Sequence, residues 1–332
     1  AASMFGAAVA MLCLSAARGL PAISLFAGLT GFAIASYHPA SAAFLADIIP
    51  PAGRVRAYTV LRIAINGGWA AGIATAGWLA QHSYTFLFWG DALTCMIFGV
   101  LALFALPHGL RRTNVRAPWG EAIASVLSNK PFLAVFAANF CAALVFCQMS
   151  TTLALQVSAA GLSASFFGQL LAVNGVLIVL LELPISNRTS RLPVLPILAI
   201  GYLLVGGGFA LNAFGTGAGV LVASMVVFTV GEMLRLPVSG AYVAGLAPAQ
   251  MRGRYMGVFG LSWALATAIG PLGLELFAWN PSALWLASGL VGLCGAVIIT
   301  TTGRIKKPAE EGDEQLVDEQ LVAEVQADGP VA

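Results

Sequence analysis

The sequence predicts an all-α polytopic membrane protein with ten helices present: two pseudo-symmetric six-helix halves with the first two helices missing. Three observations predict it. Of 332 residues, 59% are hydrophobic and only 9% are charged, where a soluble domain carries about 25% charged residues. The apolar residues gather in ten runs, most of them near the roughly 20 residues that a bilayer crossing needs. One stretch also returns without a gap, from position 39 to position 237, an offset of 198. Pro39, Ser41, Ala43, Ala46, Pro50, Arg54, Arg56 and Val60 match Pro237, Ser239, Ala241, Ala244, Pro248, Arg252, Arg254 and Val258, and Gly72 matches Gly270. Self-similarity at so long a period suits two copies of a multi-helix unit, not a solenoid.

The runs cover 1–17, 22–46, 58–81, 84–106, 131–156, 165–187, 193–213, 217–247, 253–278 and 282–303. Residues 107–130 form the one substantial connection, with Arg111, Arg112, Arg116, Glu121 and Lys130, and 304–332 form a polar, acidic tail in which DEQLV occurs twice. A five-residue period fits no heptad, so the tail is expected to be solvated and disordered. Under the 198 offset the last four runs fall on the first four, while 131–156 and 165–187 fall before residue 1. The expectation is therefore a first unit (1–106) lacking two helices, or roughly 70 residues, then a central loop (107–130), a complete second unit (131–303) and the tail (304–332). No basic n-region or cleavage site precedes the first apolar run, so no signal peptide is expected.

Orientation follows from Lys and Arg, which favour cytoplasmic connections. Arg54, Arg56 and Arg62, then Arg111, Arg112, Arg116 and Lys130, then Arg188 and Arg191, Arg252 and Arg254, and Arg304, Lys306 and Lys307 all fall on one side. The opposite connections 82–83, 157–164, 214–216 and 279–281 carry neither residue, and Arg18 alone lies there. The basic side and the C-terminus are thus placed in the cytoplasm.

Ionisable residues within lipid are costly and mark function by default. Glu232 and Arg235 share a face of run 217–247 at i and i+3, and Ser239 continues it. The repeat maps Arg235 to Tyr37 and Ser239 to Ser41, so these five are cavity candidates. Gln148 and Thr152 share a face of run 131–156 and join them, while Asn139 points the other way, toward a helix contact. Glu232 and Glu182 are the proton-coupling candidates. Glu182 precedes Pro184 near a helix end and could pair with Arg188. Asp91 and Glu275 lie near helix ends, where interfacial water solvates them. Asn66 and Asn174 suit interhelical hydrogen bonds. Gly68, Gly72, Gly77 and Gly270, with Pro271, suit close helix packing.

Catalytic motifs for zinc proteases, P-loops and nucleophile elbows are absent. The three histidines are scattered, and five cysteines inside apolar runs lack metal-ligand spacing. The expectation is no enzyme, no metal, no cofactor and no nucleic acid.

With its paired P-x-S-x-A…P…R-x-R stretches and repeat, the chain resembles the major facilitator superfamily, most closely the drug:proton antiporter-like branch. The resemblance covers residues 1–303. It implies a secondary transporter that rocks around a central cavity, lined by the helices that hold Tyr37, Ser41, Glu232, Arg235 and Ser239. Asn187, Arg188 and Arg191 stand where the family has an Asp-Arg-x-Gly-Arg loop motif. Together with Asp47, Arg54, Arg56, Arg252 and Arg254 they are the implied gating residues. The glycines around Gly72 resemble the antiporter Gly-Pro signature, with Ile73 in place of its Pro, while Gly270-Pro271 keeps it. The expected function is proton-coupled efflux of small amphipathic molecules by a monomer in the bacterial inner membrane. The partners expected are a small-molecule substrate, a proton or other coupling ion, and the lipid bilayer. The alternatives are an importer or uniporter of a metabolite, and a polytopic sensor or scaffold without transport.

Overall fold

The computed structural model describes residues 1–104 and 118–302. The central Arg111, Arg112 and Arg116, and the tail with Arg304, Lys306, Lys307 and both DEQLV copies, lie outside the described residues. The chain runs through α1 (Ala2–Ala16), α2 (Leu20–Ile48), α3 (Arg54–His82), α4 (Tyr84–Phe104), α5 (Trp119–Ser128), α6 (Lys130–Ser150), α7 (Thr152–Ala159), α8 (Ala164–Thr189), α9 (Val194–Ala210), α10 (Ala218–Leu246), α11 (Arg252–Ile269), α12 (Leu272–Trp279) and α13 (Pro281–Thr302). Short 3-10 turns occupy Pro51–Gly53, Leu211–Ala213 and Ala249–Met251.

This corrects the expected architecture of ten helices in two six-helix halves: the described residues form thirteen α-helices. Seven are long and apolar enough to cross a membrane, or eight if α11 and α12 count as one bent span. Three local causes add helices. Residues 119–128 coil into α5, whose Ala122 and Val126 are buried one turn apart. Run 131–156 breaks at Thr151, where hydroxyls turn inward: Thr151 Oγ1 donates to Cys147 O at 2.9 Å, and Thr152 Oγ1 to Gln148 O at 3.2 Å. Such local bonds compete with the helical ladder. Run 253–278 breaks at Gly270-Pro271 with a 43° bend, because proline offers no N–H and crowds the preceding turn. Apart from α11 and α12, four helices miss the crossing criterion, α5 and α7 because they have only 10 and 8 residues. α1 has only 15 residues, and α3 carries Arg54, Arg56, Arg62 and Asn66.

The repeat reappears in the element boundaries. Helix Leu20–Ile48, turn Pro51–Gly53 and a helix from Arg54 correspond, 198 positions on, to Ala218–Leu246, Ala249–Met251 and a helix from Arg252. Pro39 and Pro237 sit inside the two long helices. Where α11 breaks at Pro271, α3 has Ile73 and stays continuous.

The core lies among α6, α9, α10 and α13. One tight seam is α9 on α13, where a Cβ on Gly292 would come within 2.6 Å of Gly206 Cα. Tyr202, Phe209, Phe228 and Trp285 are fully buried there, with the Phe209 and Phe228 rings stacked at 4.4 Å. Only 6% of the apolar window of α2 is buried, against 56% of that of α6, so α2 turns its hydrophobic surface outward.

Candidate functional site

One end of the bundle carries the ends of α2, α8 and α10 and the starts of α3, α6 and α11, and with them the described basic clusters. Polar ties join the N-terminal helices to the rest there. Arg252 Nη1 donates to Asp47 Oδ1 at 2.6 Å, an ion pair between α11 and α2. Thr59 Oγ1 donates to Ser186 Oγ at 2.6 Å, linking α3 to α8. Arg54 Nε donates to Ile49 O at 3.3 Å, and burial, then the adjacent Arg252 cation, pushes its guanidinium below the ordinary value. Arg254 donates to Pro118 O at 3.3 Å, tying the α11 start to the α5 entry.

Deeper in, about 12 Å along α3 at 1.5 Å per residue, sits Arg62. Its Nη1 donates to Glu182 Oε1 on α8 at 3.1 Å and to the Glu232 carbonyl on α10 at 3.0 Å, and its Nη2 lies 3.4 Å from Glu232 Oε1. Asn174 Nδ2 donates to the other carboxylate oxygen of Glu232 at 2.7 Å and to Thr229 Oγ1 at 2.9 Å. Glu182 is fully buried and Glu232 is 2% exposed, so both depend on these bonds. The second oxygen of Glu182 is buried with no partner.

A cavity of about 530 Å³ opens over this cluster. Arg62, Glu232 and Asn174 supply its polar wall, and Trp69, Phe146 and Trp263 its aromatic one. Tyr58, Arg62, Asn66 and Trp69 line it at helical spacing from α3. The arrangement can hold an amphipathic molecule against rings while a buried carboxylate stands within reach.

The expected cavity residues scatter. Of Tyr37, Ser41, Gln148, Thr152, Glu232, Arg235 and Ser239, only Glu232 lines this cavity. Tyr37 meets Phe98 of α4 edge-on at 5.3 Å, and Ser41 donates to its hydroxyl at 3.4 Å. Gln148 donates to Gly270 O at 3.2 Å and accepts from Thr152 at 3.2 Å, bracing the α6–α7 break against the α11–α12 break. Ser239 is buried and donates to Leu236 O at 3.0 Å. Arg235 is fully buried against Trp263, with Nη1 donating to Asn139 Oδ1 at 2.9 Å. Glu182 pairs with Arg62, not Arg188, and Glu232 with Arg62, not with its helix neighbour Arg235. Asn187, Arg188 and Arg191 are exposed at the end of α8, and Arg56 is exposed near the start of α3.

Sequence reasoning missed Arg62, which was grouped with Arg54 and Arg56 as an orientation anchor. Its depth, two turns beyond Arg54 in an apolar run, was the available signal. The stripe Tyr58, Arg62, Asn66 and Trp69, four, four and three residues apart, was the other. Gly68 and Gly72 face open space, whereas Gly270 abuts Cys147 Cβ, where an added Cβ would come within 2.7 Å. Of Gly77 only the helical backbone is described.

The family model described as "Major Facilitator Superfamily" matches residues 1–271 and again 157–324. The uncharacterized MFS-type transporter YhjO of Bacillus subtilis is 26% identical over 82% of this chain and 69% of its own length. A Na(+), Li(+), K(+)/H(+) antiporter of Planococcus maritimus is 25% identical over 76% of the chain and 66% of its own, and the multidrug resistance protein MdtH of Escherichia coli 23% over 80% and 67%. The chain thus spans about two thirds of the length of these relatives. Among solved structures, the human organic anion transporter MFSD10 (TETRAN) superposes with a TM-score of 0.74 at 17% identity, covering 90% of this chain and 75% of that one. FucP in the outward conformation gives 0.72 at 12% identity, covering 92% and 82%.

Proposed function

The chain belongs to the major facilitator superfamily, and on that premise we propose that it exports small amphipathic molecules against proton entry by alternating access. It is a multi-pass membrane transport protein, not a catalytic enzyme. Its setting is the bacterial inner membrane, with the basic end and the C-terminus cytoplasmic, and it works as a monomer. Residues 1–106 and 131–303 are the units that move, joined by 107–130. The conformer in hand is closed at the basic end by Asp47–Arg252, Thr59–Ser186 and Arg62.

The observation that carries this reading is the ion cluster under the cavity. Arg62 bridges two buried carboxylates on other helices while Glu232 faces the cavity. A substrate or a proton arriving at Glu232 competes with Arg62 for the same oxygens. Weakening that bridge lets the basic end part. Binding and opening are then linked through differential interaction with the two states. The likeness to a Na(+), Li(+), K(+)/H(+) antiporter and to a multidrug resistance protein supports export with proton exchange.

The test uses everted vesicles acidified inside by respiration, with a fluorescent pH probe. Tetraphenylphosphonium, ethidium, Na⁺ and K⁺ are added in turn. At least one should collapse the gradient in vesicles with the protein, and Glu232→Gln should abolish the response while preserving exchange of preloaded substrate. Acidification deepening on substrate addition would point to the opposite direction of flux. A Glu232→Gln variant that still couples would move the proton site to Glu182.

A further inference from the structure

Arg235 is the one described cation that is fully buried, and no carboxylate lies within ion-pair distance of it among the described residues. Its Nη1 is satisfied by Asn139, but Nε and Nη2 are buried with no partner. The rings of Tyr202 and Trp263 stand 5.8 Å from Cζ. Cation–π contact offsets part of the lost hydration, yet a buried charge without a counter-charge remains costly. Glu232 lies one turn away on the same helix, in the i, i+3 relation that lets Glu and Arg meet. Trp263, whose ring the guanidinium meets, lines the cavity that Glu232 faces, while Arg235 does not.

We propose that Glu232 exchanges arginines during the transport cycle: Arg62 holds it in the closed conformer, and Arg235 takes it when α3 withdraws. The proposal rests on the alternating-access reading above. Parting of α3 from α8 and α10 must break all the Arg62 bonds, leaving Glu232 with Asn174 alone. Both of the free donors on Arg235 then gain a carboxylate acceptor, and neither charge is left stranded. Arg235 is thus a positioning residue that stabilises the open conformer, matched against Arg62 in the closed one.

The test is a distance measurement. Spin labels at Val60→Cys on α3 and Leu181→Cys on α8, both outward-facing, go into a cysteine-free background in liposomes. The long-distance fraction reports the basic end open. Arg62→Gln should raise that fraction. Arg235→Gln should lower it by about tenfold, the usual scale for coupled buried neighbours. In a Glu232→Gln background, Arg235→Gln should have no further effect, and Arg235→Lys should restore part of the fraction when Glu232 is present. Asn139→Leu removes the one hydrogen bond Arg235 now makes and should leave the fraction near the parent value. Should Arg235→Gln not fold, Arg235→Lys carries the same cycle. Equal effects of Arg235 substitution with and without Glu232, or a fall reproduced by Asn139→Leu, would overturn the exchange. A pair that never separates in any variant would overturn both the exchange and alternating access.

Discussion

Arg62 shows how much can hang on one side chain. Replacing it by Ala strands the Glu182 carboxylate and leaves Glu232 with Asn174 only. Removing one partner of a buried pair costs about 3–5 kcal/mol. Arg62→Ala should therefore lower the thermal midpoint in detergent sharply, and Arg62→Leu with Glu182→Leu should recover much of the loss. Asp47 is the contrasting case. Its pair with Arg252 is only partly buried, at 25% and 19% side-chain exposure, and such pairs contribute up to about 1 kcal/mol. Asp47→Asn should leave the midpoint unchanged within error. It should, however, increase labelling of Ser186→Cys by a membrane-impermeant maleimide applied at the basic end. These residues were unequally legible. Asp47, Glu182 and Glu232 announce themselves as charges in or beside apolar runs. Their partners do not, because an i, i+3 neighbour in sequence says nothing of the guanidinium that another helix brings in.

At the scale of elements, helix contacts and helix breaks set the rules. Gly206 and Gly292 touch backbone to backbone, so Gly206→Ala or Gly292→Ala must push α9 from α13. Overpacking of this kind costs about 1–3 kcal/mol, read as a lower denaturation midpoint. Gly68→Ala meets nothing within 4 Å and should stabilise α3 by up to about 1 kcal/mol. The paired breaks give a second expectation. A Cβ on Gly273 would sit 2.3 Å from Gln148 Oε1, so Gly273→Ala should dislodge the Gln148 brace. Faster hydrogen exchange over α7 and α12, with α6 and α11 unchanged, would register the loss. Apolar runs were readable as helices because composition and length suffice for that. The Pro271 break was latent in the sequence. The Thr151 break was not, since it depends on where hydroxyls and Gln148 point once α11 is alongside.

For the whole molecule, orientation is the direct test. A tag after residue 332 should be cleaved by protease from the cytoplasmic side of intact membranes and protected from the outside. The repeat was legible as an offset and returns in the element boundaries, because both copies carry the same punctuation: a proline within the first helix and a proline and arginines in the turn. The central cavity was only partly legible. Helical face arithmetic ranks residues on one helix, but which faces converge is fixed by tertiary approach, and α3 rather than α2 supplies the largest share of the lining. The three ties at the basic end act on the same gap and strain together when it widens. Loosening one transfers its load to the others, so resistance to opening stays high until several yield at once. Such an assembly moves in jumps. Traces of single molecules should show two dwell levels with abrupt passages between them, and weakening any one tie should shorten the closed dwells without creating a third level.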